Sequence, residues 1–156
     1  MRRLTLAVLS LAFLAACQPG VAPLSDEDVA QIESLASTIS QAAVAGDWDA
    51  LFELFAEDAV LMPPNNPVIR GRTAFRAMIE SFNPSFTAHN IELREIDGYG
   101  DIAYAWGNYT ETFTVSGVPQ PIEDVAKLMF IFRKQPDGSW AAVVEMWNTD
   151  LPVAEQ

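Results

Sequence analysis

Glu145 stands among Val143, Val144, Met146 and Trp147, a carboxylate inside an apolar run. In such surroundings a carboxylate is desolvated, its pKa rises, and it can act as a general base near neutral pH. Lys127 stands likewise among Val125, Ala126, Leu128 and Met129. If the two segments form a hairpin pairing Lys134 with Trp140, then Lys127 faces Trp147 and Met129 faces Glu145. Lys127 and Glu145 become diagonal neighbours on one face, roughly 7–8 Å apart at the backbone. That geometry suits a structural ion pair, a ligand contact or an acid–base couple. Both residues therefore enter as pocket candidates rather than as assigned catalysts. His89, the only histidine, shares alternate positions with Ile91 and Leu93 and is expected to point inward. Trp147, Trp106 and Met62 complete the candidate pocket, although large apolar residues are core by default.

Several chemistries are excluded. One histidine with no marked serine nucleophile offers no Ser-His-Asp order. One histidine and one cysteine cannot build a zinc site. The glycines occur singly, without a phosphate-cradling loop, and no cofactor motif is present. Asn108-Tyr109-Thr110 matches a glycosylation sequon, which the export signal below makes irrelevant.

The chain opens with Arg2 and Arg3, followed by an apolar run from Leu4 to Ala16 that ends in small residues. This is the plan of a secretory signal peptide, too short to span a bilayer comfortably. Leu14-Ala15-Ala16-Cys17 resembles the lipobox of bacterial lipoproteins, in which the cysteine is lipidated and becomes the first mature residue. Gln18, where an aspartate would favour retention at the inner membrane, implies the outer membrane, facing the periplasm. Residues 1–16 are thus read as leader and 17–24, with Pro19, Gly20 and Pro23, as tether. Removing Arg2 and Arg3 with the leader leaves seven bases against 21 acids. Such a surface repels nucleic acid and anionic headgroups, so contact with the membrane is expected only through the lipidated N-terminus. The single cysteine excludes an internal disulfide, and the fold must rest on apolar burial. Four tryptophans, nine phenylalanines and three tyrosines supply it.

Ser25 reads as a helix N-cap, with Asp26, Glu27 and Asp28 favourable in the first turn. Val29, Ile32, Ala36, Ile39 and Ala43 recur at helical spacing until Gly46. Asp47 caps a second helix with Leu51, Phe52, Leu54 and Phe55 on its apolar face. Ala59–Met62 reads as a strand, and a third helix follows Gly71, burying Phe75, Met78, Ile79 and Phe82. From Phe86 the pattern alternates as strands, over 86–96, 102–115, 125–134 and 140–149. Three helices followed by an antiparallel meander make an α+β domain over residues 25–150, with 151–156 as a tail.

Gly46-Asp47-Trp48-Asp49-Ala50-Leu51, Phe55-Ala56-Glu57-Asp58-Ala59-Val60, Ile69-Arg70-Gly71-Arg72-Thr73-Ala74-Phe75 and Asp137-Gly138-Ser139-Trp140 occur in this order. Together they resemble the SnoaL-like, ketosteroid-isomerase-like branch of the nuclear-transport-factor-2-like superfamily. The resemblance implies a cone, in which a strongly curved sheet wraps the helices around one apolar pocket. It also implies dimerisation through the outer sheet face. The last two strand segments are apolar on both faces, as doubly covered strands are. Aligned on these motifs, the steroid-isomerising carboxylate base falls at Pro63, the oxyanion tyrosine at Ile39 and the donor acid near Lys127. All three are lost, so steroid isomerisation is not expected. The expected function is binding of a small apolar or amphipathic molecule in the cone. The alternatives are a lyase- or isomerase-type enzyme with Glu145 as base and Lys127 or His89 polarising the substrate, and an assembly module whose cavity its own aromatics fill.

Overall fold

The computed structural model describes residues 21–151. The leader, Cys17 and the first half of the tether, and all of the tail but Leu151, lie outside the described residues. Helix α1 (Asp26–Ala45) starts at a capping box, in which Asp28 N–H donates to the Ser25 hydroxyl at 3.2 Å and Ser25 N–H donates to the Asp28 carboxylate at 3.1 Å. Gly46, left-handed at φ 67°, ends it. Asp47 caps the short α2 (Trp48–Glu53) through Ala50 N–H. Phe55, expected on that helix, instead opens β1 (Phe55–Met62), four residues before the strand expected from Ala59. A register irregularity between Phe55 and Val60 absorbs the extra length. The brief β2 (Ile69–Arg70), which the sequence reading did not anticipate, pairs back on β1 before α3 (Arg72–Phe82).

Four long strands follow: β3 (Ser85–Tyr99), β4 (Ile102–Thr114), β5 (Ile122–Lys134) and β6 (Trp140–Thr149). The sheet order is β2-β1-β6-β5-β4-β3. Every pairing is antiparallel except β1 with β6, which adds one parallel pair to the expected meander. β3 carries two bulges, between Phe86 and Ala88 and between Leu93 and Glu95. Bulges bend the strand that holds them and raise its twist, which curves the sheet around the helices. Opposite the second bulge lies Gly107, where any Cβ would overlap the Glu92 carbonyl.

The inward face of β4 runs from small to large. Ala103, Ala105 and Gly107 come first, then Tyr109, Glu111 and Phe113. At the small end the core closes on Ile32, Phe130, Phe132 and Trp140, each no more than 5 % exposed. At the large end the layers part and leave a cavity. The closed end is also tied across layers: Asp28 accepts hydrogen bonds from Lys134 Nζ at 2.6 Å and Trp140 Nε1 at 3.0 Å. Ala22 and Pro23, at the end of the expected tether, dock here too. Gly100 N–H donates to Ala22 at 2.8 Å, and Pro23 bridges to Tyr99.

Candidate active site

The cavity encloses about 410 Å³, within the range of small-molecule sites and at its lower end. It is not filled by the protein's own aromatics. Its wall is mainly apolar, built from α1 (Ile39, Ala43), α2 (Trp48, Leu51), α3 (Phe75, Met78) and the sheet. Phe82, Pro84, Val115 and Ile122 stand on the α3 side and at the strand ends, with Phe82 half exposed. Five polar groups from the sheet converge on this apolar space, His89 from β3, Tyr109 and Glu111 from β4, Asp124 from β5 and Glu145 from β6, and Asn66 of the β1–β2 loop joins them.

A single bulge sets this convergence. The β5–β6 ladder pairs Lys134 with Trp140 and Phe132 with Ala142, as the sequence reading assumed. It then skips Val143, pairing Ile131 with Val144 and Phe130 with Glu145. One extra residue reverses every later side chain on its strand. Glu145 and Trp147 therefore turn inward with Phe130 and Leu128, while Lys127 stays on the outer face opposite Asn148. The expected Lys127–Glu145 neighbourhood does not form. Lys127 is exposed and pairs with Asp150.

Two further candidates lie outside the pocket because plain alternation along their own strands turns them outward. Trp106 alternates with the inward Ala105 and Gly107, so it faces outward, where Nε1–H donates to Glu95 at 3.0 Å. Met62 lies between the inward Leu61 and Pro63 and registers against the exposed Met146. His89, Glu145 and Trp147 are the sequence candidates that do line the cavity. Pro63 and Ile39, the aligned positions of the lost base and tyrosine, line it as well and bring no titrating group.

The polar groups hold one another in desolvated positions. His89 Nδ1 lies 3.1 Å from the hydroxyl of Ser40, a buried residue of α1 that also receives Ile91 N–H at 3.2 Å. His89 Nε2 stands 3.7 Å from Glu111 Oε2, with side chains only 13 % and 14 % exposed. That spacing is too long for a hydrogen bond. Burial pushes His89 down to about 4 and Glu111 up to about 7, the latter helped by the adjacent Asp124 charge. At neutral pH His89 is therefore uncharged, and the contact is not an ion pair. Glu145 is pushed up to about 8, first by burial and then by Glu111. What surface it retains faces the cavity. The Tyr109 phenol is raised well above its usual range by burial and by the surrounding carboxylates.

Glu111 and Asp124 are direct cross-strand partners facing inward. Like charges placed so are unfavourable, and an apolar surround makes them more so. Structural conflicts of this kind mark functional sites. Sequence reasoning missed Glu111, Asp124, Tyr109 and Ser40. The inward alternation Ala103-Ala105-Gly107 pointed to Tyr109 and Glu111. Asp124 was lost because its strand was started three residues too late, at Val125.

Comparison with known proteins gives the same architecture. A ketosteroid isomerase-like protein from Erwinia carotovora atroseptica superposes with a TM-score of 0.74 at 23 % identity, covering 82 % of this chain and 100 % of its own. A nuclear-transport-factor-2-like protein of cystatin-like fold from Novosphingobium aromaticivorans gives 0.66 at 26 % identity, covering 82 % and 85 %. The ActVI-ORFA protein of Streptomyces coelicolor gives 0.65 at 15 % identity, covering 78 % and 96 %. No curated protein matches the sequence. Residues 37–143 match the SnoaL-like domain, more than half of the chain and every wall of the cavity but Glu145 and Trp147. The chain belongs to the SnoaL-like family, on the curved-sheet fold of nuclear-transport-factor-2-like proteins.

Proposed function

We propose that this domain binds a small, mainly apolar molecule in its cone, with the molecule's polar end against Glu111, Asp124 and Glu145. The observation that carries this reading is an apolar cavity of about 410 Å³ on which side chains from four strands converge. Its test is titration with N-phenyl-1-naphthylamine, an uncharged probe that brightens on apolar burial. One probe should bind per chain, and Met78→Trp at the cavity wall should abolish binding without unfolding the protein. A probe that fails to bind the folded wild type contradicts the reading.

The raised Glu145 favours a second reading, in which the bound molecule also undergoes proton transfer with Glu145 as general base. Lys127 takes no part in it, and His89 is the polarising neighbour. Hydrogen–deuterium exchange into a ligand recovered from the protein, lost in Glu145→Gln, is the result expected. Equal exchange in both proteins overturns it.

The address is the cell envelope, through lipidation of Cys17 and attachment to the outer membrane, facing the periplasm. The motif around Cys17 supports this. With Ala22 docked at the β3–β4 turn, the cavity lies toward the other end of a 13-residue β4, on the order of 40 Å away at full extension. A ligand would then enter from the aqueous side. A homodimer through the outer sheet face is supported by Trp106, Met129 and Met146, which form one row across three strands at 43 %, 40 % and 48 % exposure.

A further inference from the structure

The charge of the cavity wall is one-sided. Glu111, Asp124 and Glu145 line it together with Trp48, Trp147, Phe86, Tyr109 and other rings, and no lysine or arginine is among its lining residues. The carboxyl of Glu145 is open to the cavity, and no hydrogen bond from a described residue reaches it. Burial and Glu111 are the forces that act on it. Asp124 accepts hydrogen bonds from Thr149 Oγ1 at 2.6 Å and from the Tyr109 hydroxyl at 3.5 Å, yet none of the three acids has a counter-charge among the lining residues. Water alone would satisfy them in a polar cavity, but here most of the wall is hydrocarbon and aromatic faces. Carboxylates framed by aromatic rings are the arrangement that holds an organic ammonium ion, since ring faces attract a cation and carboxylates neutralise it. Lysines and arginines that could have paired these acids are spent elsewhere: Lys127 on Asp150, Lys134 on Asp28, Arg133 on Asp58.

We propose that the molecule bound in the cone is an organic cation, a quaternary or protonated amine on a compact apolar body, with its charged head between Glu111, Asp124 and Glu145. This rests on the binding reading above and specifies the ligand class of that same cavity. The polar groups that share the cavity with Glu145 are Glu111 and Tyr109 of β4, Asp124 of β5, His89 of β3, Asn66 of the β1–β2 loop and, behind His89, Ser40 of α1. None is positive at neutral pH, with His89 held uncharged by burial. A bound cation supplies the missing charge and draws a proton off Glu111 and Glu145, so its affinity rises with pH. A neutral ligand accepting a hydrogen bond from a protonated carboxyl behaves oppositely.

The test uses displacement of N-phenyl-1-naphthylamine by two molecules of one shape, phenyltrimethylammonium and its uncharged carbon isostere tert-butylbenzene. The cation should bind at least tenfold more tightly at pH 8, its affinity should increase between pH 6 and pH 8.5, and Glu145→Gln should reduce the advantage several-fold. Preference for tert-butylbenzene, or cation affinity that falls as pH rises, overturns the inference and leaves the apolar-binding reading standing. If the probe itself fails to bind, both fall.

Discussion

Phe130 stands directly opposite Glu145 across the β5–β6 ladder, one residue out of step with the register that pairs Lys134 with Trp140. The bulge at Val143 makes the difference, and it alone puts the Glu145 carboxyl in the cavity. The cost is read in pH dependence. Glu145 ordinarily ionises near 4.5, and in the fold it holds its proton to about 8. The unfolded chain therefore releases this proton first, so its contribution is favourable below about 4.5 and is lost as pH rises toward 8. One pKa unit is about 1.4 kcal/mol, so Glu145→Gln should stabilise the protein by at least about 1 kcal/mol at pH 8 and change little at pH 4. Urea midpoints at the two pH values measure it.

His89 acts in the other direction. Its folded value of about 4 lies below its ordinary 6.5, so the unfolded state takes up the proton first on acidification. Stability should fall as pH drops from about 6.5 to 4, and His89→Gln should flatten that limb. Thermal unfolding followed across this range checks it.

Asp28 joins the first turn of α1 to the last hairpin through Ser25, Lys134 and Trp140. Its carboxyl is held well below the usual range, first by Lys134 and then by Ser25. Asp28→Ala removes the capping box and leaves the Trp140 N–H and Lys134 without their acceptor. It should lower the unfolding temperature clearly more than Glu27→Ala, one position earlier on the exposed side.

Gly107 has no room for a side chain beneath the Leu93–Glu95 bulge. Gly107→Ala should cost about 2 kcal/mol, the usual scale of overpacking, measured by denaturant unfolding. Lys127→Ala, by contrast, removes only an exposed ion pair and should leave stability within about 0.5 kcal/mol and probe binding unchanged.

Much of this architecture was legible in local signals. Ser25, Gly46 and Asp47 bounded their helices, and the turn at Asp137-Gly138 set the last hairpin. The site was less legible because its parity depends on a bulge, and Val143 looks like any other residue of an apolar strand. Counting alternation through it sent Lys127 and Glu145 to one face. Trp106 and Met62 failed differently: size marks a residue as apolar without saying on which side of the sheet it lies. Glu111 and Asp124 sat in stretches polar enough to read as solvent-facing, and only the packed sheet brings them opposite each other. The resemblance to the family carried the cone and its pocket but none of these acids.

A native mass spectrum of the protein purified from its own cells tests the central claim most directly. The account expects one small molecule per chain, absent from Met78→Trp. A bare wild-type chain that also ignores N-phenyl-1-naphthylamine would contradict it.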